Sequence, residues 1–292
     1  MINRKLIGAR YFYEGFKATS NVSINASFNS ARDYAGHGTH TLSTAAGNFV
    51  PGVSVFGNGN GTASGAAPKA RVVSYKVCWE GSDCNDADVL AAFEAAITDG
   101  VDVINLSLAG DDPKEYFNNS LSIGSFHAVV NGLVVVSAAG NDGPKPSTVL
   151  NFEPWVITVA ASRTNRDFIN TVTLGDNTTL KGMSLSMSGL SSDKLYQMIN
   201  ASNANTNDVT PELASVCLNK THIDPEKVKG KILICNTPFL DQTWAEEMGA
   251  VGVIYPSINP RIELDPKPLT FPTSNLRYSH SKYFLSYMNS TK

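Results

Sequence analysis

At 292 residues, 42% of them hydrophobic, the chain is too long for one small domain and comfortable for two, with enough apolar material to fill a core in each. A formal net charge of -3 with 17% charged residues provides no basic field, which argues against a nucleic-acid partner. The longest strand-like apolar run, Gly132 to Ala139, is far shorter than a membrane span, so no membrane partner is expected either.

Residues 1–30 are polar and turn-rich and are expected on the surface, with Leu6 to Phe12 as their one strand-like piece. Met1-Ile2-Asn3-Arg4-Lys5 lacks the apolar core of a signal peptide. Then comes Asp33-Tyr34-Ala35-Gly36-His37-Gly38-Thr39-His40-Thr41, running into the small-residue stretch Leu42 to Gly47. A histidine between two glycines that opens such a stretch reads as an imidazole at the N-terminus of a tightly buried helix. The helix dipole disfavours the imidazolium there, leaving a neutral ring suited to a general base. A turn histidine that merely precedes a helix has the same spacing.

Gly57 to Thr62 imitates a phosphate-binding loop, but no strand and helix frame it, and a surface turn is expected. From 71 to 161, strand and helix patterns alternate. Arg71 to Val77 reads as a strand. Asp86 to Asp99 reads as a helix with Val89, Leu90, Phe93, Ala96 and Ile97 on one face and Gly100 at the left-handed cap. Val101 to Leu108 is a strand, Ser120 to Asn131 a helix closed by Gly132, and Leu133 to Ser137 and Val156 to Ala160 two further strands. Strands joined by helices call for right-handed crossovers and a parallel sheet covered on both faces, a three-layer α/β domain whose ligands bind beyond the strands' carboxyl ends.

Two segments lie at that edge: Ser107-Leu108-Ala109-Gly110, and Ala138-Ala139-Gly140-Asn141-Asp142-Gly143-Pro144. Small residues there leave an open slot, and the Asn141 carboxamide could face a developing oxyanion. Taken alone, Asn141-Asp142-Gly143 is equally a tight turn.

From about residue 176 Asn, Ser and Thr dominate, and a second unit begins, giving domains 1–175 and 176–292. Within it Val228 to Cys235 and Gly249 to Tyr255 read as strands, and Phe239 to Met248 and His280 to Asn289 as helices. Cys78 lies close to Cys84, and Cys217 to Cys235, so two short-range bridges are favoured among the three connectivities that four cysteines allow. Glycosylation acceptors occur at Asn21, Asn25, Asn60, Asn118, Asn177, Asn200, Asn219 and Asn289. A further one, Asn105, falls in an expected buried strand and should stay unmodified. Sequon density together with the cysteines points to the secretory route. His127, His222 and His280 have no companions at metal-ligand spacing, and neither a metal nor a cofactor is expected.

The run RDYAGHGTHTLSTAAG resembles the histidine motif of subtilisin-like serine proteases, in the form found in plant subtilases. NRKLIGARYF, YKVCW, DVLAAFEAAITDGVDVINLSLAG, IGSFHAV and SAAGNDGP match that family in the expected order through residues 1–165. The resemblance implies a serine endopeptidase acting on peptide or protein substrates, with His37 as base, Asn141 as oxyanion donor, Ser107 to Gly110 as the edge that pairs with substrate backbone, and Ala138 to Gly140 lining the specificity pocket. Ala109 stands where the family often has glycine. It also implies that His40 packs inside and that Asp33 supports the motif locally or faces substrate. VKGKILIC, GAVGVIY and LSYMNSTK resemble a protease-associated domain, with Cys217 and Cys235 as its usual bridge. By that resemblance the second domain influences substrate access or oligomerisation, a second copy of the chain being the expected partner.

In subtilases the triad aspartate precedes the histidine in an Asp-Thr/Ser-Gly turn, and the nucleophile follows the inserted domain in Gly-Thr-Ser-Met. Neither motif occurs in these residues. The 292 residues alone are therefore expected to be inactive, and a degenerate protease serving as an interaction module is the rival reading.

Overall fold

The computed structural model describes residues 4–21, 29–79, 84–110, 114–143, 145–162, 164, 166–237, 243–259 and 268–291. Asn25, Pro144 and the expected helix start at Phe239 lie outside them. The chain divides into two compact units, residues 1–51 with 62–164 and residues 52–61 with 165–292.

The first unit runs β1 (Leu6–Tyr11), α1 (Glu14–Thr19), α2 (His37–Ala46), then β2 (Val50–Val55) and β3 (Asn58–Ala63), whose central residues 52–61 are grouped with the second unit. It continues as β4 (Val72–Lys76), α3 (Asp86–Asp99), β5 (Val103–Leu106), α4 (Ser120–Val130), β6 (Val134–Ala138) and β7 (Ile157–Val159). β1 and β4 pair in parallel, and β5, β6 and β7 form a second parallel sheet.

Helix α3 has the bounds read from the sequence because its signals agree. The Asn85 side chain accepts the Ala87 N–H at the start, and Gly100 at φ +68 closes the end. Val89, Ala92, Phe93 and Ala96 face a core shared with Leu106, Ala128 and Val135. Its Asp88 carboxylate is buried yet satisfied, accepting the N–H groups of Gly15 and Phe16 at 2.9 Å each and so holding the start of α1. Phe16 is 2% exposed and packed near Trp79, the one buried exception among the described residues to the surface placement expected of residues 1–30. At the other end of α3, Asp99 accepts from Arg10 at 2.7 Å and from the Tyr75 hydroxyl at 2.8 Å, tying the helix to β1 and β4. Burial, then that hydrogen bond to a carboxylate, pushes the Tyr75 phenol up to about 12.

The sheet β5-β6-β7 departs from the expected cover on both faces. Leu106 and Val135 point into the helix-covered core, while Val103 (57% exposed), Val134, Ile157 and Val159 stand exposed among the described residues. Asn105 shares the open side, its amide donating to Ser107 Oγ at 2.9 Å, so it is exposed and not buried as expected. Gly57 to Thr62 also differs from expectation. A strand does precede it, and only Gly57 lies in the turn of the hairpin, while Gly59 and Gly61 lie on its exposed strand β3; a dinucleotide loop would need a helix there.

The second unit runs β8 (Ile169–Thr173), β9 (Thr179–Met183), β10 (Leu185–Ser186), β11 (Met198–Asn200), α5 (Pro211–Ser215), α6 (Pro225–Val228), β12 (Ile232–Ile234), α7 (Thr243–Glu247), β13 (Gly252–Pro256), β14 (Pro268–Leu269), β15 (Thr273–Leu276) and α8 (Tyr278–Ser290). Its six-stranded sheet has the order β11-β12-β13-β15-β9-β8, parallel through β15 and antiparallel beyond. Val228 ends a helical turn opened by Pro225, so the strand expected from Val228 begins only at Ile232. The apolar run at 249–255 makes sense here, because β13 is buried on both sides. Val253 and Tyr255 meet one cluster with Ala214 and Ala245, and Ile254 meets another with Phe284 of α8. Both expected disulfides form, Cys78–Cys84 in the first unit and Cys217–Cys235 in the second.

Close approach of α3 and α4 depends on Gly124, where an added Cβ would lie 2.1 Å from Phe93 Cδ2. Alanine gains at most about 1 kcal/mol over glycine in a helix, whereas overpacking costs about 1–3 kcal/mol. Gly124→Ala should therefore lower the urea midpoint, and the loss should shrink in a Phe93→Leu background.

Candidate active site

Asp33 organises the segment that carries His37. One carboxylate oxygen accepts the Gly36 N–H at 3.0 Å, and the other accepts both the N–H and the hydroxyl of Thr39 at 2.7 Å. The Thr39 N–H is an orphan donor of the first turn of α2, so Asp33, three residues ahead of the N-cap position Gly36, caps the helix beside its positive end. Gly36 makes the entry at φ +83, a conformation open to glycine without strain. Partial burial works to raise the Asp33 carboxyl, but the bonds from Thr39 and Gly36 outweigh it and hold the group below its ordinary value. Local support was one of the two roles expected for this residue.

Lys76, at the carboxyl end of β4, fixes the approach to that cap. Its ammonium donates to the carbonyls of Arg32 at 2.9 Å and Ser30 at 3.3 Å and lies 4.0 Å from the centre of the Trp79 ring. Burial lowers the lysine and the Asp33 charge opposes that.

The small-residue run has its own physical reason. Gly65, Ala66 and Ala67 donate backbone N–H groups to the carbonyls of Gly47, Thr44 and Ala45 at 2.9–3.0 Å. A Cβ on Gly65 would come 2.3 Å from the Gly47 nitrogen, so only a bare backbone fits. The tightness lies at the end of α2 and not along it. Ala46 is its one buried residue, and both His37 and His40 are exposed, contrary to the buried helix and the inward His40 expected.

Ser107 to Gly110 and Ala138 to Gly140 come together at the carboxyl edge of the β5-β6 pair, where Leu106 sits opposite Ser137. Ser107 and Leu108 are half-buried, Ala109 and Gly110 exposed. Ala139 is gripped twice, donating to the Val159 carbonyl and accepting from the Leu150 N–H, each at 3.0 Å. Gly140 turns the chain at φ +84, and a Cβ there would lie 3.1 Å from Leu150 Cδ1. Asn141 and Asp142 follow, exposed. His37 and Asn141 belong to the same unit.

Asn151 was not singled out in the sequence. Its buried carboxamide donates to the Leu108 carbonyl at 2.8 Å and the Ala138 carbonyl at 2.9 Å. The backbone sits at φ +48, which asparagine tolerates better than most residues. An asparagine ten residues beyond Asn141 carries no periodic or motif signal that would reveal this.

Among the acceptor asparagines, Asn21, Asn60, Asn118, Asn177, Asn219 and Asn289 are exposed and Asn200 is half-buried. Among the described residues no group of three or more His, Cys, Asp or Glu side chains could hold a metal ion, and no helix is long and apolar enough to cross a membrane. A shallow depression lined in part by Lys220, Trp244 and Glu247 belongs to the second unit and holds none of the residues above.

A parallel α/β unit with small residues at its strand ends, beside a capped histidine helix, is the class of scaffold that binds ligands beyond strand carboxyl ends. The profile of the subtilase family matches residues 6–229, and the chain belongs to that family of subtilisin-like serine proteases. It is 49% identical over 300 aligned residues to the Arabidopsis thaliana subtilisin-like protease SBT5.4, covering 99% of this chain and 38% of that one. It is 54% identical over 236 residues to SBT5.3 of the same plant, covering 80% of this chain and 30% of the relative. A Glycine max subtilisin-like protease is 43% identical over 288 residues, covering 94% of this chain and 36% of the relative. The chain thus spans between 30% and 38% of the length of these curated relatives.

The Asp33 cap has a testable titration. Because its folded value is depressed, its stabilisation is present above the ordinary value of 3.8 and is lost as pH falls through the lower, folded one. Carbon-13 NMR should place its midpoint below 3.8, moving up in Thr39→Val, which removes one of the donors. Asp33→Ala should cost about 0.5–2 kcal/mol at neutral pH, as loss of a helix cap does.

Proposed function

We propose that this chain supplies the general base and the oxyanion donor of a secreted serine endopeptidase that works through an acyl-enzyme. His37 would take the proton from a serine hydroxyl contributed by a segment outside these 292 residues, as that oxygen attacks the scissile carbonyl. The Asn141 amide would stabilise the oxyanion, and His37 would then return the proton to the leaving amine. Ser107 to Gly110 would pair with the substrate backbone, and Ala138 to Gly140 would line the side-chain pocket. Residues 176–292 would form a protease-associated domain that governs access or pairs with a second copy, and the exposed acceptor asparagines would carry glycans. The observation that carries this reading is the family match over residues 6–229 together with the two small-residue segments at one strand edge.

A fluorophosphonate probe should leave this chain unlabelled, and peptide substrates should survive it. In a protein that also carries the flanking aspartate and serine segments, His37→Ala should lower turnover by on the order of 10⁶, the value measured for the histidine of subtilisin itself. Asn141→Ala should lower it by about 10²- to 10³-fold, again the subtilisin figure. If that longer protein hydrolyses no peptide while the second domain still captures a protein partner, the interaction-module reading takes its place.

A further inference from the structure

The carboxamide of Asn151 touches no position assigned to chemistry, yet it spans the two segments assigned to substrate. Both of its partners are carbonyl oxygens, which can only accept, so the amide nitrogen must face them and each of its hydrogens is committed, one to Leu108 and one to Ala138. β5 and β6 hydrogen-bond to one another only as far as Leu106 and Ser137. Beyond that point the ladder has ended, and the two segments would be free to splay. Asn151 continues the bridge across the gap with a side chain. The residue is itself held, since the Thr158 hydroxyl donates to its carbonyl and the neighbouring Leu150 N–H donates to the Ala139 carbonyl at 3.0 Å.

We infer that Asn151 is a positioning residue, clamping Ser107–Gly110 and Ala138–Gly140 at a fixed separation so that both can engage one extended peptide. This rests on the assignment of those segments to substrate in the proposed function. Successive carbonyls of an extended run point to opposite sides. The clamp on the Leu108 carbonyl would therefore commit the carbonyls of Ser107 and Ala109 to the other side, where a substrate strand can add.

Asn151→Gly keeps the left-handed backbone accessible and removes the carboxamide, while Asn151→Asp keeps the shape but sets a carboxylate against two carbonyls. Hydrogen exchange on the 292-residue chain should accelerate in Asn151→Gly by about 10- to 100-fold for residues 106–110 and 137–141, as expected for two lost hydrogen bonds, with α3 and α8 unchanged. Asn151→Asp should accelerate the same amides further. A blocked tetrapeptide amide, titrated against each protein, should bind the variants at least about tenfold more weakly than the parent chain, the loss expected from one to two hydrogen bonds.

Unchanged exchange at both segments in Asn151→Gly would overturn the inference, and so would acceleration spread evenly through the unit, the mark of a merely structural role. If neither variant folds, nitrogen-15 NMR of the parent chain decides, because a clamp requires both Asn151 side-chain protons to exchange slowly and free-amide rates would overturn it. Localised acceleration in a chain that binds no tetrapeptide would uphold the clamp and sink the substrate assignment instead.

Discussion

Two strands hydrogen-bonded in parallel must leave the sheet at the same edge, and this constraint carries the functional reading of the first unit. The β5-β6 register sets Leu106 opposite Ser137 and so brings the segments that begin at Ser107 and Ala138 to one edge, although they lie far apart in the chain, with all of α4 between them. Everything at that edge elaborates the same geometry. α3 and α4 cover one face of the pair and approach each other closely enough to exclude a Cβ at Gly124, Ala139 is held from two sides, and Asn151 bridges the point where strand pairing stops.

The histidine segment is held by a different kind of force. Among the described residues no strand includes Asp33, and the chain there is positioned by charge and capping. A lysine ammonium gathers the Ser30 and Arg32 carbonyls at the end of β4, and the Asp33 carboxylate that follows accepts the N–H groups of Gly36 and Thr39 at the start of α2. The C-terminus of the same helix is locked by backbone contact with residues 65–67, possible only because Gly47 and Gly65 lack side chains. α2 is thus fastened at both ends while the residues along it stay exposed or half-buried up to Ala46. The small-residue run therefore reports a close approach at one end and not burial along the whole length.

Elements whose signals are local were legible. α3 shows its apolar spacing, an asparagine cap and a terminal glycine in consecutive residues, and the structure keeps its bounds. The buried strand β13 announced itself as an unbroken apolar run because helices cover both faces of its sheet. The same reasoning failed for β5. Its apolar run suggested cover on both faces, but α3 and α4 pack on one face, and Val103 and Asn105 face outward among the described residues. An apolar pattern records what a strand can bury, and says nothing of whether a covering element is within the same stretch of chain.

By itself the sequence determined the alternation of strand and helix, the positions of the cysteine pairs, and a motif order specific enough to imply the family. These follow from periodicity, capping chemistry and residue identity within short windows. Only the tertiary structure decided that Phe16 belongs to a core, that His40 and Asn105 are exposed, and that Asn151 joins two strand ends. Each of these depends on contacts between segments distant in the chain, and no local pattern encodes which carbonyl a remote amide will find.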